Sequence, residues 1–198
     1  MEKPLDHPGV MDIYIALVHH PVRNRLGETV TTAVTNIDIH DLARAARTYD
    51  VRATFIVTPI EQQRSLVGRI IGHWEHGAGA SHNPIRARAF ERLRVARDVD
   101  EAALAIERET GSTPTLVATG AQLHTDITEY AVLRGRIADE PGALLLLFGT
   151  GFGLTDEILR RCPLRLPAIQ ALPGRGDYNH LSVRSAVSII LDRLLGDR

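Results

Sequence analysis

A glycine loop that comes late in the chain limits what this sequence can fold into. Phe148-Gly149-Thr150-Gly151-Phe152-Gly153-Leu154 follows the apolar run 143–148, so the loop opens where a strand ends. Glycines there let backbone amides approach a ligand with no side chain in the way. The loop is not a P-loop, because the lysine and Ser/Thr that close one are missing. A dinucleotide fingerprint would need a following helix and an acid about twenty residues on, near the start of a domain. Only 45 of the 198 residues follow Gly153. Alone, such a loop reads equally well as a tight structural turn. It is set apart by the polar segment Tyr178-Asn179-His180-Leu181-Ser182-Val183-Arg184-Ser185-Ala186, which leads into an apolar helix.

Upstream, short apolar runs alternate with helical patterns. Residues 13–18, 54–58, 115–119 and 143–148 read as strands, with 93–96 as an edge strand and 164–169 as a strand interrupted by Pro167. Helical spacing covers 37–49, 61–75, 84–92, 100–110, 130–138 and 181–195, the first capped by Asn36 or Asp38 and the fourth stopped by Gly111. Residues 19–35 are long for a simple connection. The alternation predicts an α/β fold: a mostly parallel sheet with helices on both faces, in a single domain over residues 1–198.

Composition adds exclusions. The net charge is −1, so bulk charge offers no support for a nucleic-acid partner. Of the 23 basic residues only Lys3 is lysine. Arginine suits bidentate phosphate contacts, although GC-rich coding produces the same bias. Cys162 is the single cysteine, which leaves no internal disulfide and no multi-cysteine zinc site. No signal peptide is visible, and the longest apolar run is far short of a bilayer span; a cytoplasmic protein without a membrane partner is expected.

Asn179, His180 and Ser182 fall at a helix mouth, where free amides favour polar partners, or they simply cap it. Val183, Val187, Ile190 and Leu194 form one apolar stripe, widened by Ile189 and Leu191, as on a helix buried from two sides. Asp38, Asp41 and Arg44 share a helix face and would suit solvent ion pairs. His73 and His76 lack a third metal ligand at useful spacing, so no metal is expected. A loop carrying Trp74, His76, Asn83 and Arg86 suits base stacking and phosphate contact with single-stranded RNA.

Taken together, the chain resembles the SPOUT class of RNA methyltransferases, the α/β-knot enzymes. The resemblance rests on His20-Pro21-Val22, Thr31-Thr32-x-Val34-Thr35-Asn36-Ile37-Asp38-Ile39-His40-Asp41, His73-Trp74, Asn83-Pro84-x-Arg86, Gly149-Thr150-Gly151-Phe152-Gly153-Leu154-Thr155 and the segment 178–186. It implies a C-terminal trefoil knot, with residues 115–198 as the knotted cofactor-binding region. It also implies a homodimer acting on tRNA or rRNA with S-adenosylmethionine as cofactor. A non-catalytic RNA-binding module that keeps the fold is the alternative.

The implied cofactor residues are Ala118, Thr119 and Gly120; Phe148, Gly149, Thr150, Gly151 and Gly153; and Pro167, Ala168, Ile169, Tyr178, Asn179, His180, Leu181 and Ser185. His20, Arg23, Trp74, Asn83 and Arg86 are the implied RNA contacts, and Arg44, Asp38 and His180 the catalytic set. Three positions depart from the ribose-methylating branch. Asp38 stands six residues before Arg44 where that branch has asparagine, His180 replaces a second asparagine, and the glycine loop lacks a glutamate.

Overall fold

The computed structural model describes residues 10–176 and 178–197. Asp177, within the expected cofactor segment, and the two ends of the expected domain lie outside the described residues.

Six parallel strands form the sheet in the order β5-β4-β1-β7-β6-β8. These are β1 (Asp12–Val18), β4 (Ala53–Val57), β5 (Leu93–Ala96), β6 (Thr115–Thr119), β7 (Ala143–Gly149) and β8 (Leu164–Arg165). β1 and β7 are the central pair, in register from Asp12 opposite Ala143 to Val18 opposite Gly149. Both strands are apolar almost throughout because both faces are covered. Ile13, Ile15 and Leu17 point into one core with Leu144, Leu146 and Phe148. Tyr14, Ala16 and Val18 point into the other with Leu145 and Leu147.

The first core is covered by α1 (Asn36–Thr48), α2 (Glu61–Glu75), α4 (Pro84–Phe90), α6 (Tyr130–Asp139) and α8 (Val183–Leu195). The second is covered by α5 (Val99–Thr110) and α7 (Asp156–Arg161). β1 therefore feeds a helix on one face, while its neighbour β7 feeds a helix on the other. A crevice opens between such strands at their carboxyl ends, the usual place for a ligand in an α/β sheet.

Several boundaries differ from the sequence reading. The α1 cap is Thr35, whose hydroxyl accepts from the Asp38 amide and donates to Asp38 Oδ2 (2.5 Å); Asn36 and Asp38 already lie inside the helix. Residues 19–35 hold a two-stranded antiparallel ribbon, β2 (Val22–Arg23) with β3 (Thr29–Val30). α3 (Ala78–His82) occupies part of the loop expected between the helices at 61–75 and 84–92. α7 replaces an unassigned stretch after the glycine loop. β8 stops at Arg165, since Pro167 has no N–H to continue the ladder. α8 starts at Val183 behind a Ser182 cap.

The apolar stripe of α8 is largely consumed within the chain. Val187, Ile190, Leu191 and Leu194 are buried in the first core, and Val183 packs against it. The Tyr49 hydroxyl of α1's C-cap donates to Asp192 (3.3 Å), and Arg134 on α6 donates to the carbonyls of Arg193 and Gly196. Two-sided burial of α8 is thus met by the chain's own elements.

Candidate active site

The crevice is a cleft of about 960 Å³ at the carboxyl ends of β1, β7 and β6. That is within the range of small-molecule sites, about 300–1,000 Å³. Three segments converge on it: the turn after β6, the glycine loop after β7, and the long connection from β8 to α8.

The glycine loop is built for close approach. A Cβ on Gly149 would stand 2.7 Å from the Leu154 amide nitrogen. Gly151 has φ of +62°, and a Cβ there would fall 2.9 Å from the Arg23 carbonyl. The loop is pinned to the β2–β3 ribbon, with the Phe152 amide donating to Arg23 and the Arg23 amide to Gly153, both at 2.9 Å. Arg23 also pairs with Asp156 at the start of α7. Opposite, Asn179 donates to the Ala121 carbonyl (3.3 Å) and the Tyr130 hydroxyl to the Pro167 carbonyl (3.3 Å).

Of the expected cofactor residues, Thr119, Gly120, Phe148, Gly149, Thr150, Gly151, Gly153, Pro167, Ile169, Asn179, His180 and Leu181 line the cleft. Ala118, Ala168, Tyr178 and Ser185 do not; Ala118 is buried within β6, and Tyr178 is 82% exposed. Asp38 and His180 face the cleft, whereas Arg44 lies exposed and off its wall.

Asp38 is only 7% exposed, and its partner is Arg184 of α8 (3.2 Å). Arg184 also reaches Asp41 (3.4 Å), so one guanidinium joins the first helix to the last. The cleft wall carries Arg23, Arg160, Arg165 and Arg184 against Asp38 and Asp156. A chain of nearly neutral charge therefore concentrates cations where an anionic partner would meet them.

Among the expected RNA residues, Arg23 lines the cleft, and half-buried His20 receives or gives a bond to Thr31 Oγ1 (2.9 Å). Trp74, Asn83 and Arg86 form a separate cluster. Trp74 is in the last turn of α2 rather than a loop, stacked on Phe90 (5.6 Å) and edge-on to His40 (5.4 Å). Arg86 lies 5.3 Å from its ring centroid, and Asn83 caps α4 by accepting from the Arg86 amide. Burial, then the Arg86 charge, lowers the His40 pKa. Among the described residues no three metal-ligating side chains cluster.

The sequence reading gave His19 no role. At 1% exposed it sits at the end of β1 and lines the cleft. Burial drives its pKa down to about 4 despite the opposing pull of Asp38. Its ring Nδ1 lies 2.9 Å from Thr32 Oγ1, which is 2.5 Å from Thr150 Oγ1 in the glycine loop. Thr150 donates in turn to the Val18 carbonyl (3.0 Å).

Residues 12–196 match the family model described as SAM-dependent RNA methyltransferase. The chain belongs to that family. It is 43% identical, over 97% of its length, to a tRNA (guanine-N(1)-)-methyltransferase of Oleidesulfovibrio alaskensis. It spans only 44% of that relative, so the activity in the name is that of a protein more than twice as long. A second relative, an uncharacterized protein of Aquifex aeolicus, is 39% identical over 92% of this chain and 88% of its own length. The fold is shared with the SpoU methyltransferase AviRb from Streptomyces viridochromogenes in complex with AdoMet. That match has a TM-score of 0.56 and 16% identity, over 94% of this chain and 60% of AviRb. The SPOUT-like α/β architecture expected from the motifs agrees with that neighbour.

Proposed function

We propose that the chain is an RNA methyltransferase that binds S-adenosylmethionine in the cleft between β1, β7 and β6. The carrying observation is the convergence of three loops on one cleft whose glycine wall leaves no room for a Cβ at Gly149 or Gly151. Those residues suit a cofactor gripped through backbone groups: the glycine loop, Thr119-Gly120 and residues 167–181 would hold it. When bound, the sulfonium supplies an electrophilic methyl group. The chain's share is to align the acceptor and to take its proton. Asp38 and His180 stand on the cleft wall for that second task, and Arg23, Arg160 and Arg165 offer phosphate contacts. Arg44, Trp74, Asn83, Arg86 and His20 would then contact RNA outside the cleft.

The resemblance also carries a trefoil knot, a homodimer and a cytoplasmic location into this reading. For the knot, β8 lies outside β6, yet α8 returns to pack on α1 and β7. The intervening chain is tied to the turn after β6 at both ends, by Thr128 N to Arg165 O and by Asn179 to Ala121. Light scattering of the purified chain tests the dimer.

The function is tested by incubating the chain with tritiated S-adenosylmethionine and either tRNA, rRNA or total protein. Label entering RNA is expected. Cofactor binding without label in any RNA would favour a non-catalytic RNA-binding module. If Asp38→Ala combined with His180→Ala, or Arg44→Ala, leaves transfer intact in a folded protein, those roles fall.

A further inference from the structure

The hydrogen-bonded row at the end of β1 leaves one polar atom of a cleft-lining residue uncommitted. Thr150 has a single hydroxyl proton, and its acceptor is the Val18 carbonyl, which cannot donate. With that bond made, beside the Thr150 amide on the same carbonyl, Thr150 Oγ1 accepts from Thr32, whose only proton is spent there. Thr32 Oγ1 is left to accept from His19, so the ring proton sits on Nδ1. Nε2 is then a bare lone pair. It is buried and has no hydrogen-bond partner.

The rest of His19 is fully used. Its amide donates to Val57 (2.9 Å), and its carbonyl accepts from Thr32 (2.9 Å), so the ring is held at the sheet end. A buried acceptor left unpaired costs about 1–3 kcal/mol, a cost a donor on a ligand would remove. Because burial holds the ring neutral near pH 7, that lone pair is present whenever a ligand arrives.

We infer that His19 positions the reacting group of the target nucleotide, accepting at Nε2 a hydrogen bond from its N–H or O–H. The inference rests on the RNA methyltransferase reading. The nucleotide is favoured over the cofactor because His19 lines the cleft together with Asp38, the residue proposed to take the acceptor's proton. The Thr32–Thr150 row makes this more than packing: it ties the tautomer of His19 to the glycine loop.

Two substitutions separate the ring's atoms. His19→Asn keeps a donor where Nδ1 stands and removes the Nε2 acceptor; His19→Gln restores an acceptor near Nε2. With total RNA from a strain lacking this chain's gene, His19→Asn is expected to lower kcat/KM for RNA about tenfold or more. The Kd for S-adenosylmethionine should stay within about twofold, and His19→Gln should recover part of the rate. Equal activity of His19→Asn and the parent overturns the inference, as does a loss of cofactor affinity, which would make the cofactor the donor. In the parent, the ¹⁵N signal of His19 Nε2 should move when RNA is added and stay in place with S-adenosylmethionine alone. An immobile signal in a chain that binds RNA sinks the inference and leaves the proposed function standing. A parent that neither binds nor methylates RNA sinks the function, and this inference with it.

Discussion

Acidification from about pH 7.5 to about pH 5 is expected to cost the folded chain about 2 kcal/mol through His19 alone. An unfolded histidine titrates near 6.5, whereas burial takes folded His19 down to about 4 against the opposing pull of Asp38. Above about pH 6.5 the ring is neutral in both states and adds nothing to the pH dependence. Between the two values the unfolded chain binds a proton that the folded chain refuses, so stability falls as pH falls. Below about 4 the loss is complete. A gap of 2.5 units at about 1.36 kcal/mol each gives a full loss of about 3 kcal/mol, of which about 2 has accrued by pH 5. The assay is urea unfolding of the parent and His19→Gln across this range. Carboxylates and the half-buried His40 titrate in both proteins, so the difference between the two curves isolates His19. It should close by about 2 kcal/mol on acidification. Parallel curves would refute the claim that folding holds this ring neutral.

Three further outcomes follow from the geometry. Gly149→Ala places a methyl against the Leu154 amide, and should destabilise the chain by about 1–3 kcal/mol in thermal melts and weaken S-adenosylmethionine binding in titration calorimetry. Arg184→Ala removes the guanidinium that Asp38 and Asp41 share; RNA methylation should slow about tenfold or more while cofactor affinity holds, and an unchanged rate would remove Arg184 from the site. Burial pushes the Cys162 thiol up to about 11, so iodoacetamide should label the native chain about a hundredfold more slowly than the urea-unfolded chain, as mass spectrometry would show.

The architecture was legible because its signals are local. Continuous apolar runs such as 143–148 mark a strand covered on both faces, and the flanking helical spacing gives a parallel sheet. The glycine loop was legible by the same token, since glycine after a strand is a local pattern; the other two segments of the cleft came only with the family resemblance. Partnerships across the chain were not legible. Asp38 and Arg44 lie six apart on one helix, yet Asp38 pairs with Arg184, 146 residues away. His19 looked like part of a polar connection because its place depends on distant partners: Val57 of β4, and Thr32, which reaches Thr150 of the glycine loop. Trp74 and Asn83 read as a loop surface, but α2 runs on through Trp74, whose ring stacks on Phe90, and α3 fills the stretch before Asn83.

The Asp38–Arg184 tie sets a schedule for how the site comes into being. The two partners are 146 residues apart, so a chain growing on the ribosome has β1 and α1 long before α8 emerges. Contacts of such sequence separation form late and slowly, after the loops between them have lost their freedom. The clasp cannot exist in part-made protein, and a chain stopped between β8 and residue 184 would carry all six strands but not the clasp.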